Sequence, residues 1–233
     1  TLRFWNRETV PSVGDKDPEG HNVDSVFTEL NYQDNNQSVF NSIAENLKTA
    51  IVVDRVSFAN TTYMFHNCSS LTTLNLSNFD TSKVTDMQYM FYRCLNLTNL
   101  DLSNFNTSKV TNMNNMFQNC RSLTNLDLSN FNTSKVTDMN CMFYSCLSLT
   151  NLDISNFDTS KVTNTNQMFD DCQSLTTLDL SSFDTNNVIS MNRMFFNCSN
   201  LTLDCSHWNV DKVTSHYDFN SSAYNVIPPV WKN

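Results

Sequence analysis

The hydrophobic positions of this chain recur at a fixed interval. A Met-Phe pair begins at Met64 and again at Met90, a step of 90 − 64 = 26 residues. The step is kept without interruption by three columns: Met64, Met90, Met116, Met142, Met168 and Met194; the Phe that follows each Met; and Cys68, Cys94, Cys120, Cys146, Cys172 and Cys198. Units of this length cannot bury their own apolar face and need neighbours to cover it. The pattern predicts a repeat solenoid that forms one elongated domain.

Each repeat combines two hydrophobic patterns, as the unit Leu97–Cys120 illustrates. Leu100-Asp101-Leu102 alternates between apolar and polar, which is the pattern of a half-buried strand. Val110, Met113 and Met116 step by three, which suits a turn or a short 3₁₀ segment. We therefore predict a leucine-rich-repeat-like fold with one parallel β-sheet and short 3₁₀ or turn segments on the opposite wall.

The repeats must turn their corners without glycine. The chain has only two glycines, Gly14 and Gly20, and both precede the repeats. Asparagine tolerates the left-handed backbone region better than most residues. One asparagine follows each predicted strand, and these residues are the predicted corners: Asn78, Asn104, Asn130 and Asn156.

Both ends of the array depart from the repeat and are predicted to be caps. Residues 1–55 form the N-terminal cap, with a first strand near Leu2–Trp5, an amphipathic helix over Val39–Leu47 and a degenerate strand at Ile51–Val53. A binding element remains the alternative for this segment. The repeats cover 56–205, and 206–233 form an aromatic C-terminal cap in which Trp208 replaces the Phe that follows each predicted strand, such as Phe105.

The pattern LxxLxLxxF followed by MFxxCxxL resembles the bacterial leucine-rich-repeat surface proteins with a 26-residue unit, called BspA-like. The resemblance covers roughly Val56 to Trp231, including the closing segment. It implies a bacterial cell-surface protein, extracellular, that adheres to host tissue, mucus or matrix proteins. It brings no catalytic motif and no cofactor, so we expect no enzyme.

Composition limits the partners. The net charge of −9 and the pI near 4.7 argue against nucleic acid or an anionic membrane as the main partner. No run of 18 apolar residues exists, so no membrane insertion is expected. The chain starts at Thr1 without a signal-like segment, and we expect it to be a mature fragment or an excised module. A monomer is the expected state.

The outward residues of the predicted strands are the candidate ligand-binding site. They form a polar surface with an acidic stripe along its middle, and a sheet of stacked repeats is a common place for binding. The candidate residues are Asn99, Asp101, Asn125, Asp127, Asn151, Asp153, Thr177 and Asp179. The alternative is that short polar side chains merely solvate an exposed sheet.

Eight cysteines raise the question of disulfides or metal. The six column cysteines share one orientation, which suits disulfide geometry poorly, and no CxxC motif is present. Buried free thiols are the favoured interpretation, one or more bridges are the alternative, and no metal is expected. Cys141 lies outside the column, and we expect it to be exposed.

A basic column is the other charged feature, made by Lys83, Lys109, Lys135 and Lys161. It fits either a surface that attracts sulfated or sialylated glycans or a solvated edge that keeps the array soluble. The resemblance to BspA-like proteins implies a non-enzymatic adhesion module for a host surface protein or glycan. A passive spacer that displays another domain is the alternative.

Overall fold

The computed structural model describes residues 2–4, 43–53 and 55–232, and in them the chain is a β-rich repeat fold with very little helix. A single turn of 3₁₀ helix covers Ala44–Asn46. The strands are short: β1 Leu2–Phe4, β2 Thr49–Val52, β3 Val56–Ser57, β4 Thr73–Asn75, β5 Phe79–Asp80, β6 Asn125–Asp127, β7 Asn151–Asp153, β8 Leu203–Asp204 and β9 Val226–Ile227.

The strands pair in parallel and in register with the repeat. β6 pairs β7 so that Leu126 lies opposite Leu152, 26 residues later. In the described residues the strands form four separate pieces, in the orders β1-β2-β4, β3-β5, β6-β7 and β8-β9. The prediction of one continuous parallel sheet was therefore wrong. The sheet is interrupted because some repeats have no strand at the equivalent place: residues 99–101 and 177–179 lie outside strands, whereas Asn125–Asp127 and Asn151–Asp153 form them.

The second wall carries the more continuous set of hydrogen bonds between repeats. The N–H groups of Tyr89, Phe91 and Arg93 donate to carbonyls in the next repeat at 3.1, 2.9 and 2.8 Å. Single parallel bridges continue the pairing along Asp86, Asn112, Asp138, Asn164, Ser190 and Ser215. In the repeats, this wall is built from turns, which is one of the two forms that the sequence predicted for it.

Two residues in each turn of this wall have left-handed backbone conformations although neither is glycine. Tyr89 and Arg93 have φ of 55° and 57°. Such a conformation costs roughly 1 kcal/mol for a residue with a Cβ. Each of these residues donates its own N–H to the next repeat, so the hydrogen bonds between repeats hold the strained conformation in place.

The core is a bundle of in-register columns. The Met and Phe pairs are buried, and the rings from Phe65 to Phe195 stack with centroids 5.4 to 5.7 Å apart. The column cysteines are also buried, and each thiol from Cys94 onward donates to a phenylalanine carbonyl of the preceding repeat; Cys120 Sγ lies 3.2 Å from the Phe91 carbonyl. All eight cysteines are free and buried, which agrees with the interpretation as buried thiols.

Side-chain acceptors, rather than glycine, form the corners. In the unit from Leu97 to Cys120, Oδ1 atoms accept the backbone N–H two residues later at three places: Asp101 to Ser103, Asn106 to Ser108, and Asn112 to Asn114, at 2.9, 3.1 and 3.0 Å. These are Asx turns, which Asp and Asn form without a positive φ. The repeat therefore turns three times without glycine.

The predicted corner asparagines have a different role. Asn78, Asn104, Asn130 and Asn156 all lie in turns, as predicted for corner residues, but none has a positive φ, so the expected left-handed conformation was wrong. Their amide groups instead donate to backbone carbonyls of the preceding repeat: Asn130 Nδ2 lies 3.0 Å from the carbonyls of Leu102 and Phe105 and 3.2 Å from that of Ser103. A donor with two N–H groups satisfies carbonyls that would otherwise lose their partners at the corner.

One repeat lacks this amide. Ser182 occupies the asparagine column, and its hydroxyl is the one buried side-chain N or O atom without a hydrogen-bond partner among the described residues. A serine side chain is shorter than asparagine by one heavy-atom step and does not make the contacts with the preceding repeat. In the other repeats, the asparagine amide supplies the hydrogen bonds to the preceding repeat that Ser182 does not make.

The structure of the two ends of the array agrees only in part with the elements predicted there. β1 and β2 form at the predicted first and degenerate strands and pair with each other. The predicted helix over Val39–Leu47 lies partly outside the described residues, and its described part is the 3₁₀ turn at Ala44–Asn46. At the other end Trp208 is buried and stacks on Phe183 with centroids 6.3 Å apart.

Candidate functional site

The eight candidate ligand-binding residues are all exposed. The pairing of β6 with β7 brings Asn125 opposite Asn151 and Asp127 opposite Asp153. Asn151 Nδ2 donates to Asn125 Oδ1 at 2.6 Å, so the amides contact each other between repeats. Asn99, Asp101, Thr177 and Asp179 occupy the same columns but lie outside the strands. We call these eight residues the strand face.

Each aspartate of the strand face is already used by its own repeat. The Oδ1 atoms of Asp101, Asp127 and Asp179 accept the backbone N–H of the serine two residues later, each at 2.9 Å. These hydrogen bonds lower the pKa of all three carboxyl groups. The aspartates therefore share one environment, whereas general acid–base chemistry needs two carboxyl groups whose pKa values move apart.

The described residues contain no group of three or more His, Cys, Asp or Glu that could hold a metal ion. The column thiols lie away from solvent, and burial raises the pKa of Cys146 to about 12. Cys141, which we expected to be exposed, is buried at 8 % relative exposure, so that prediction was wrong. Its side chain is enclosed in the stack and contacts Gln167 Oε1 of the next repeat, with Sγ 3.7 Å from the oxygen.

The basic column is exposed along its length. In the part of the chain that the structure describes, none of its four lysines makes a salt bridge. At its C-terminal end Lys212 Nζ donates to Asn187 Oδ1 at 2.6 Å. Lys109 is flanked by the neutral residues Asn106 and Asn112, so the middle of the column is locally cationic in an acidic protein.

A second surface, on the wall of left-handed turns, differs from one repeat to the next. We call it the variable face. It consists of the residue before each Met and the two residues after each Phe: Tyr63, His66 and Asn67; Tyr89, Tyr92 and Arg93; Asn115, Gln118 and Asn119; Cys141, Tyr144 and Ser145; Gln167, Asp170 and Asp171; Arg193, Phe196 and Asn197. The backbone there is fixed by main-chain hydrogen bonds, which do not depend on the side-chain type. Four of these side chains are buried: Asn115, Cys141, Ser145 and Asp170.

The N-terminal end of the variable face is aromatic. Tyr63 and Tyr89 stack at 4.7 Å, and His66 and Tyr92 stack at 4.8 Å between ring centroids. We call these four half-buried residues the aromatic patch. Burial, and to a smaller extent Arg93, lowers the pKa of His66 to about 4, so its imidazole is neutral at physiological pH.

The C-terminal end of the variable face is charged. Asp170 is 1 % exposed and forms an ion pair with Arg193, with 2.8 Å between Oδ2 and Nε. The Arg193 guanidinium also lies 3.8 Å from the centre of the Phe196 ring. Burial raises the pKa of Asp170, while Arg193 and Gln167 oppose that effect through their hydrogen bonds.

The sequence reasoning missed the variable face because it followed the columns that stay constant. The sequence did contain a signal for this face, namely variation: the residue before each Met and the two residues after each Phe change in nearly every repeat. The structure gives those columns a common location and assigns the constant aspartates to turn formation. Variation between repeats was therefore the better guide to this second face.

Comparison with known proteins identifies a family and no individual relative. The profile of the family described as "Mycoplasma protein of unknown function, DUF285" matches residues 21–147 and 124–229. Neither the curated proteins nor the solved structures yield a match. In the described residues, no helix has the length and hydropathy that crossing a membrane requires. The two profile matches together run from residue 21 to residue 229, and the chain therefore belongs to the DUF285 family.

Proposed function

We propose that the repeats form a solenoid of the BspA-like kind and that the chain is an extracellular adhesion module of a bacterial cell-surface protein. Its ligand is a host surface protein or glycan, such as a glycoprotein, a mucin or a matrix protein. In-register pairing of residues 26 apart on both walls supports the solenoid. The resemblance of the repeat pattern to BspA-like proteins supports the adhesion role.

The observation that carries the proposal is the in-register exposure of the strand face. Asn125 and Asp127 lie opposite identical residues of the next repeat, Asn151 and Asp153. Equivalent polar groups then recur about every 4.8 Å along the array. A ligand with its own repeating groups gains several weak contacts at once on such a surface, and linked contacts raise the apparent affinity.

Two double variants test whether the strand face binds. Changing Asp127 and Asp153 to Ala removes both the charge and the turn acceptor, whereas changing both to Asn removes the charge and keeps the acceptor for Ser129 and Ser155. Binding of the purified chain to immobilised mucin and matrix proteins is measured by surface plasmon resonance. Adhesion through the acidic stripe predicts that both variants lose binding. Saturable binding that both variants retain would contradict a role for these carboxylates.

A passive spacer is the second candidate, and one observation favours it. The strand-face aspartates accept hydrogen bonds within their own repeats, so the turns alone account for their presence. A spacer predicts no saturable binding to any host ligand by the wild-type chain. The same measurement therefore separates the two candidates before any variant is made.

The proposal also covers what the module does not do. We propose no enzymatic activity, because the pKa values of Asp101, Asp127 and Asp179 are all lowered by the same kind of hydrogen bond rather than moved apart. The net charge of −9 supports a partner other than nucleic acid. A monomeric module fits the proposal, since the repeats cover one another's apolar faces.

A further inference from the structure

The aromatic patch is a cluster of four rings on a surface that the proposed adhesion does not use. We propose that this patch, formed by Tyr63, His66, Tyr89 and Tyr92, binds a neutral carbohydrate chain. The inference goes beyond the adhesion proposal, because it assigns a ligand class to the variable face and does not involve the strand face.

The geometry of the rings leaves parts of their faces uncovered. Tyr63 and Tyr89 are parallel within 8°, and His66 and Tyr92 within 11°, but the two pairs cross at 64° to 74°. Both pairs are related by the same translation from one repeat to the next. Two stacks that share a translation but differ in plane cannot both be face to face, so the rings of at least one pair overlap with an offset. Offset rings present strips of face that the C–H groups of a sugar ring can contact.

The polar edges of the patch are free to bind a ligand. Within the described part of the chain, no hydrogen bond involves the hydroxyls of Tyr63, Tyr89 and Tyr92 or the imidazole of His66. The direct contacts that the structure gives these side chains are between rings. A neutral imidazole offers one donor and one acceptor, and each phenol offers both. Free polar edges beside apolar ring faces match the alternating hydroxyl and C–H surfaces of a pyranose.

Charge favours a neutral saccharide over an anionic one. The charged groups that act on the patch are Asp86 near Tyr63, Asp138 near Tyr89 and Arg93 near His66. Two carboxylates against one guanidinium make the surroundings slightly negative. Sialylated or sulfated chains would be repelled there and would be drawn to the basic column instead.

Size favours a saccharide over a folded protein. Each residue of the patch is half-buried, so the four rings together expose roughly 300 Å² at most. A specific protein interface needs about 800 Å² on each partner. The large exposed apolar residues lie elsewhere, at Ile189 and in the segment from Tyr217 to Val230, and do not extend the patch. A short run of sugar rings fits the available area.

The test uses the whole chain with an array of neutral oligosaccharides, followed by calorimetry on any hit. We expect saturable binding of a neutral oligosaccharide that does not change with salt concentration. Tyr89→Ala and Tyr92→Ala should each weaken it at least about tenfold. Tyr89→Phe keeps the ring and removes the hydroxyl, so it should weaken binding about three- to tenfold without any question of folding.

Tyr144→Ala is the matched control, because Tyr144 occupies the column of Tyr92 two repeats away and outside the patch. It should leave binding unchanged. The proposal is overturned by the absence of any neutral hit, by equal loss in Tyr144→Ala, or by binding only to sialylated or sulfated chains that salt abolishes. Capture of a protein ligand by the patch would overturn it as well. The double variant Asp127→Asn with Asp153→Asn should still bind the neutral oligosaccharide, because the strand face is not part of the aromatic patch. Each proposal can therefore fail without affecting the test of the other.

Discussion

Replacing Asn130 by Asp tests the part that the asparagine column plays in joining one repeat to the next. The Asn130 amide donates to the carbonyls of Leu102, Ser103 and Phe105 at 3.0 to 3.2 Å. Its two N–H groups make at most two strong hydrogen bonds at a time, each contributing about 0.5–1.5 kcal/mol. Asn130→Ala should therefore lower the free energy of unfolding by about 1–3 kcal/mol. For a chain of this size that lowers the melting temperature by about 2–4 °C per kcal/mol.

Asn130→Asp should be more destabilising than Asn130→Ala. The substitution puts a carboxylate oxygen where an N–H group faced three carbonyl oxygens, so it adds repulsion to the lost hydrogen bonds. Asn132→Asp is the matched control two residues away. Asn132 Oδ1 accepts from Ser134, and Asp158 occupies the same column in the next repeat, so this variant should stay within about 0.5 kcal/mol of the parent.

Urea unfolding followed by circular dichroism measures all three variants. The expected order of stability is parent and Asn132→Asp together, then Asn130→Ala, then Asn130→Asp. If Asn130→Asp were as stable as its control, the amide would not join the repeats, and our account of the asparagine column would be wrong.

Three other predictions follow from single observations. Ser182→Asn should raise stability by about 1 kcal/mol in a urea titration, because it restores the missing amide; a loss of stability would show that the site cannot accept it. The thiols should resist a thiol reagent at pH 8 and react fully in denaturant, because burial raises the pKa of Cys94 and the other column cysteines; rapid labelling of the native chain would contradict this. Arg193→Leu should cost about 3 kcal/mol at pH 7, because it leaves Asp170 buried without its cation. Burial already raises the pKa of Asp170, so the variant's deficit should shrink as the pH falls through the carboxyl's folded-state pKa, and a deficit independent of pH would be inconsistent with an unpaired carboxylate.

The 26-residue period of the array could be predicted from the sequence because the buried core positions keep the same residue type in each repeat. Met116 and Phe117 are buried in every equivalent position, and a buried column tolerates little change in volume. The first strands near Leu2 and Ile51 were also predictable from apolar composition. These features depend on hydrophobicity, which a sequence displays directly.

The corners could not be predicted from backbone preference alone. Asparagine suits a left-handed conformation, but Asn104 uses its amide as a donor to the preceding repeat instead. Asparagine and aspartate adopt the left-handed conformation at other positions, such as Asn115, but so do residues with no preference for it, such as Tyr89 and Cys141. Hydrogen bonds between repeats impose it on them, and such bonds are visible only once the repeats are stacked.

The candidate site was only partly predictable for a related reason. Exposure of Asp127 and Asp153 follows from strand alternation, and the structure agrees. Because an aspartate recurs at this place in successive repeats, we predicted that it contacts a ligand. The Asx turns, in which these aspartates accept the N–H groups of Ser129 and Ser155, require the same recurrence. A side chain that repeats without change can serve the fold, whereas the differing side chains of the variable face need another explanation.

Deleting one whole repeat tests the central claim, that each unit is held by its neighbours through contacts 26 residues apart. Removing residues 124–149 joins Leu123 to Thr150 and recreates the Leu-Thr junction of every repeat. We predict a folded chain that unfolds cooperatively, with a longest dimension by small-angle X-ray scattering shorter by about 4.8 Å. Removing only residues 124–136 breaks the register and should prevent folding. If both deletions unfolded the chain, or if both were tolerated, the stacked-repeat account would be contradicted.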